Sequence, residues 1–126
     1  MIYTKKYMAK QDTRLIIYEK IVDLIFYSKN LLKKFPKSER FDLCTDIKQS
    51  LYKILRLVMY SWKEKNMDQR YKNLKDADIE IYVLKTLIRL SYMDKYITEQ
   101  NYMTWNNHLS EIGKMIGGWM KTCQRD

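Results

Sequence analysis

The chain has 126 residues, and 24 lysines and arginines against 15 aspartates and glutamates give it a net charge of +9 at pH 7. That length supplies one hydrophobic core but not two, so residues 1–126 are expected to form a single domain. Three glycines and one proline are too few turn formers for a many-stranded β fold, and although 46% of residues are apolar, no run reaches the roughly 18 uncharged residues that a membrane span needs.

The first helix is expected over residues 12–35. Asp12 is its N-cap candidate, and Pro36 stops it because a proline disfavours helical geometry in the residue before it. Ile17, Ile21, Leu24, Leu31 and Phe35 fall on one stripe, and Leu15, Tyr18, Val22, Ile25 and Leu32 on the adjoining one. Glu19, Asp23, Tyr27, Asn30 and Lys34 take the wet side.

A second helix is expected over 39–65, with Ser38 as its cap. Leu43, Ile47, Leu51, Ile54 and Val58 line its inner face, widened by Leu55, Met59 and Trp62. Asp42, Asp46, Gln49, Lys53, Arg56, Tyr60 and Lys63 line the opposite face. Charge on that face turns from acidic to basic along the helix, which complements the helix dipole.

NMDQRYKNLKDAD is the most polar stretch and is expected to be a loop. The third helix then covers 76–95, with Ala77, Ile81, Leu84, Ile88 and Ser91 inward. Asp78, Tyr82, Lys85, Arg89 and Tyr92 form its outer line. Such interleaved aromatic and basic residues can stack bases or simply cover apolar surface.

Thr98 caps a fourth helix over 99–122. Tyr102, Trp105, Leu109, Ile112, Ile116, Trp119 and Cys123 make its stripe, and Ser110, Gly113 and Gly117 lie beside it. Each helical glycine loses about 1 kcal/mol relative to alanine, so close packing by a neighbour is expected to compensate. That neighbour is either another helix of the bundle or another subunit. The expected fold is therefore all-α, an antiparallel up-down four-helix bundle. Trp105 and Trp119 should hold it, while Gly113, Gly117 and Gly118 set how near a neighbour comes.

Catalytic and metal signatures are missing from the sequence. His108 is the sole histidine and has no partner motif. No phosphate loop, nucleophile elbow or HExxH or CxxC spacing occurs, and Glu111 is followed three residues on by Lys114 rather than by the histidine of a di-iron bundle. We expect no enzyme, no cofactor and no metal. Cys44 and Cys123 are isolated and suit small hydrophobes in a reducing cytoplasm. MIYTKKYMAKQDTR has charge but no apolar core leading to a cleavage site, so no signal peptide is expected. The positive field instead attracts polyanions, nucleic acid first and acidic protein second. The excess is concentrated, with five basic residues against one acid over 29–40 and seven against two over 48–72.

FPKSERFDL after the first helix, and LKTLIRLSYMDKYIT leading into YMTWNNHLSEIGKMIGGWMK, resemble the accessory variability determinant proteins of diversity-generating retroelements. The resemblance spans about residues 12–122, and EIGKMIGGWMK is its most specific part. It implies a four-helix bundle assembled as a basic homopentameric barrel. It further implies association with the element's reverse transcriptase and with nucleic acid, above all template-repeat RNA, in support of mutagenic homing. The polymerase would do the chemistry. The sequence ends at Gln124, Arg125 and Asp126 without a longer basic tail, so phosphate contact is expected to fall to Lys33, Lys34, Lys37, Arg40, Lys53, Arg56, Lys85 and Arg89, chosen by charge placement and helix facing. FPKSERF is shared with bundle proteins encoded in ribosomal-RNA intervening sequences. The alternative is accordingly a structural oligomer of that kind without a retroelement role.

Overall fold

The computed structural model describes residues 13–124, and the expected cap at Asp12 lies outside them. Four helices, α1 (Thr13–Leu32), α2 (Leu43–Lys63), α3 (Met67–Met93) and α4 (Glu99–Cys123), pack as an up-down bundle. Each helix packs on its neighbours in the chain, and α4 returns to α1 to close the square. The inward stripes meet in one core of mainly isoleucine and leucine, with Trp105 fully buried at its centre. Its indole Nε1–H donates to Ser28 Oγ at 2.8 Å, and that hydroxyl donates to Leu24 O at 2.6 Å. The serine on the α1 stripe thus satisfies the one polar atom that a buried tryptophan brings inside.

The bundle covers the other two tryptophans as well. Trp119 is buried and Trp62 packs edge-on against Tyr18, with ring centroids 6.3 Å apart.

Two boundaries differ from expectation. α3 starts at Met67, nine residues before the expected Asp76, so the stretch read as a loop is helical. Asn66 caps it by accepting from Gln69 N–H at 2.9 Å. Arg70 also reaches back to α2, donating from Nε to Ser61 O at 2.9 Å and from its other guanidinium nitrogen to Glu64 O. Those carbonyls belong to the end of α2, where the helix cannot satisfy them itself. Polar composition concealed a stripe of Met67, Tyr71, Leu74 and Ala77 at helical spacing.

The second difference follows Pro36. Ser38 is not an α2 cap but sits within a 3-10 turn, Lys37–Glu39, and α2 begins after Asp42. Proline fixes φ at −58° and the turn closes with Glu39 N to Pro36 O at 3.0 Å, so the chain makes one tight turn before the next helix.

At the other connection, α3 ends in a paired cap. Tyr96 N–H reaches Ser91 O and Lys95 N–H reaches Tyr92 O, both at 2.9 Å, with Lys95 left-handed at φ 64°. This is the two-bond helix stop that glycine usually makes. Thr98 then caps α4, accepting from Asn101 N–H at 3.1 Å.

Candidate nucleic-acid interface

Three of the four helix seams carry a polar tie. Glu80 accepts from Ser50 Oγ at 2.7 Å and pairs with Lys53 at 3.3 Å, joining α2 to α3. Lys85 donates to Ser110 Oγ at 3.0 Å, joining α3 to α4. Lys20 pairs with Glu111, joining α1 to α4, and its ammonium holds the Glu111 carboxyl below the usual carboxylate range.

The end of the α1–α2 seam is different. Lys29 on α1, Lys33, Lys37 and Arg40 in the connection, and Lys48 on α2 surround a cavity of about 340 Å³. Leu32, Phe35, Pro36 and Cys44 form its apolar lining. None of the five cations makes an ion pair among the described residues. Glu39, the one acid in the 29–40 run, is engaged elsewhere, accepting the Tyr96 hydroxyl at 2.7 Å. That hydrogen bond pushes the Tyr96 pKa up to about 12. Phe35 packs against the same tyrosine, ring centroids 5.4 Å apart. The α3–α4 connection therefore braces the cavity wall through Phe35 and holds the Glu39 carboxylate in place.

The cavity suits an anion. Five unpaired positive charges around a concave, partly apolar surface concentrate polyanions at that point. Its size falls at the low end of the ~300–1,000 Å³ typical of ligand clefts. It offers no nucleophile, because burial pushes the Cys44 thiol up against the pull of Lys48, keeping it protonated. Among the described residues, no three histidine, cysteine or acidic side chains gather where they could hold a metal.

The eight basic residues expected from the sequence thus fall into separate groups. Lys33, Lys37 and Arg40 come together at the cavity, where Lys29 and Lys48 join them. Lys34 is exposed beside this group without lining it. Arg56 and Arg89 are exposed on the outer faces of α2 and α3. Lys53 and Lys85 hold helices together, and Lys85 also lies 5.5 Å from the Tyr82 ring centre. Lys48 could have been found from sequence, since Cys44 and Lys48 are one turn apart on α2.

The packing residues divide as sharply. Trp105 and Trp119 are core, whereas Gly113, Gly117 and Gly118 face outward enough that an added Cβ at any of them meets nothing within 4 Å. Among the described residues, no other helix presses on the glycines. Gly113 and Gly117 follow Ser110 at helical spacing on α4, where Ser110 accepts from Lys85 and, nearer the helix start, Tyr102 stacks on Tyr92, 4.6 Å apart and nearly parallel. On its outer face α3 exposes Ile79, Tyr82, Val83, Leu90 and Met93, with Val83 toward α2.

The class that fold and site define is an up-down helical bundle with a cation-lined end. Comparison with known proteins makes this specific. The bAvd-like family model matches residues 15–123, and the chain belongs to that family. Membership carries an accessory role of the accessory variability determinant kind in diversity-generating retroelements, a role that is generally non-catalytic. No curated protein matches the chain. Among solved structures, a protein of unknown function from the S23 ribosomal protein family of Bacteroides thetaiotaomicron shares the fold. It has a TM-score of 0.79 and 20% identity, covering 87% of this chain and 99% of that one. No helix among the described residues is long and apolar enough to cross a membrane.

Proposed function

We propose that this chain is the accessory subunit of a diversity-generating retroelement, binding template-repeat RNA and related DNA and delivering them to the element's reverse transcriptase during mutagenic homing. The carrying observation is the α1–α2 cavity, where five cations with no ion-pair partner among the described residues converge on one concave surface. Charge left unpaired in a concave surface favours an anionic partner from outside. Lys29, Lys33, Lys37, Arg40 and Lys48 form the primary contact, and Lys34, Lys53, Arg56, Lys85 and Arg89 extend it along the surface.

The subunit acts as a homopentamer in the cytoplasm of a bacterium. The outward glycines of α4 and the exposed apolar face of α3 supply the contact between copies, since a neighbouring helix can approach where no side chain stands. Burying that face would also remove apolar surface from water.

The test is binding of template-repeat RNA at rising salt, alongside copurification with the reverse transcriptase encoded beside it. Affinity should fall steeply, because each phosphate neutralised releases counterions, and base sequence should matter little. Binding insensitive to salt, or no binding, would sink the reading. A pentamer without RNA affinity would favour a structural oligomer like those of the ribosomal-RNA intervening sequences.

A further inference from the structure

Three phenylalanines occur in the chain, and only Phe35 is buried. Phe41 is 89% exposed and Phe26 is 71% exposed. Leaving an apolar ring in water forgoes the burial that drives folding, so two such rings at one end of the molecule call for a use. Both lie close in sequence to residues that line the cation cavity. Phe41 directly follows Arg40 and stands three residues before Cys44, both of which line it. Phe26 lies one turn before Lys29 on the same face of α1, with Lys33 one turn further on.

We propose that Phe41, with Phe26 as a second platform, stacks an unpaired base whose neighbouring phosphates lie among Lys29, Lys33, Lys37, Arg40 and Lys48, so that this end of the bundle selects single-stranded nucleic acid over duplex. The proposal rests on the nucleic-acid reading above and adds a strand preference to it. An aromatic face accepts any base but needs one free of its own stack, whereas phosphates are offered equally by single strands and duplexes. The acids nearby do not oppose this. Glu39 is held by the Tyr96 hydroxyl, and the exposed Asp42 and Asp46 set two further carboxylates against five cations. The cavity's apolar lining, Leu32, Phe35, Pro36 and Cys44, gives the sugar a surface between ring and phosphate contacts.

The experiment measures affinity for fluorescein-labelled oligouridine, free and annealed to oligoadenosine, at one fixed salt concentration. Wild type should prefer the free strand. Phe41→Ala should weaken free-strand binding by about five- to a hundred-fold, the scale of one lost stacked base, and leave duplex binding unchanged. Phe26→Ala should do the same more weakly, and Phe41→Trp should retain the preference. Because Phe41 is exposed, Phe41→Ala should keep its helical circular dichroism.

Equal binding of free strand by wild type and Phe41→Ala overturns the proposal and leaves the basic-cavity reading intact. Loss of free-strand and duplex binding together also overturns it. A change of assembly size by light scattering with RNA affinity unaltered assigns the ring to a contact between copies instead. Failure of wild type to bind either form removes the nucleic-acid reading itself, and this inference with it.

Discussion

The α1–α2 end and the α3–α4 seam carry similar residue types toward opposite ends. In the seam, Lys85 rests on Ser110 and above a tyrosine ring, and Tyr92 and Tyr102 stack on each other. Polar and aromatic groups there satisfy one another. At the α1–α2 end, five cations have no ion-pair partner among the described residues, and Phe41 stands in solvent. A count of basic residues does not separate the two regions; the state of each residue's partners does. An ion pair or hydrogen bond within the chain costs an outside anion something to displace, and an unpaired lysine around a concavity does not.

The strongest way to break this contrast is charge reversal. Replacing Lys33, Lys37 and Arg40 together by glutamate should lower RNA affinity by roughly a hundredfold or more and flatten its salt dependence, as measured by fluorescence anisotropy. Reversing Lys53 and Lys85 should cost less affinity and more stability. Equal losses of affinity from both variants would erase the distinction.

Next in size is Trp105→Phe, which removes the indole donor from Ser28 and leaves a smaller ring in the core. It should destabilise by about 1–3 kcal/mol in urea denaturation, while the folded protein keeps its RNA affinity. A third test concerns the glycines. Because a Cβ at Gly117 meets nothing, Gly117→Ala should stabilise an isolated protomer by about 1 kcal/mol through helix propensity alone. Gly117→Leu should break a ring into smaller species in native mass spectrometry. If Gly117→Leu left assembly size unchanged, the seam would have no subunit role.

The smallest effect is expected from Tyr96→Phe, which releases Glu39 toward the cavity. Tyr96 keeps its proton to about 12, above its ordinary value near 10. The Tyr96–Glu39 hydrogen bond therefore contributes fully below pH 10 and is lost as pH rises through 12. The gap in melting temperature between wild type and Tyr96→Phe should close over that range. RNA affinity should also fall slightly at neutral pH, because a freed carboxylate would stand beside Lys37 and Arg40.

Much of the fold was legible because each helix repeats its apolar residues at spacings of three and four. The inner stripes of α1, α2 and α4 fall where that pattern puts them. The start of α3 was hidden because Arg70, Lys72 and Asn73 make the stretch look like a loop, and Arg70's capping of α2 carbonyls cannot be seen in one dimension. The cavity was half legible. Facing and charge picked out Lys33, Lys37 and Arg40, but only the turn after Pro36 brings Lys48 opposite Lys29. Conversely, Lys53 and Lys85 looked as free as the rest, because their partners Glu80 and Ser110 are distant in sequence. Phe41 passed as an ordinary residue in the first turn of the expected second helix, since sequence does not tell an exposed ring from one folded inward.

The three-residue link between α2 and α3, with Arg70 bridging it, has a consequence for the order of events during folding. A hairpin closed over so short a link loses little chain entropy, so α2 and α3 can pair early. The basic cavity has the opposite requirement. It needs α1, the turn after Pro36, the start of α2 and Tyr96 from beyond α3, all in place at once. Nascent or partly unfolded chains thus carry the same lysines without the concavity that concentrates them, and tight RNA capture becomes a property of the finished subunit. Pulsed hydrogen exchange should show α2 and α3 amides protected before those of α1, and protection of α1 first would reverse that order.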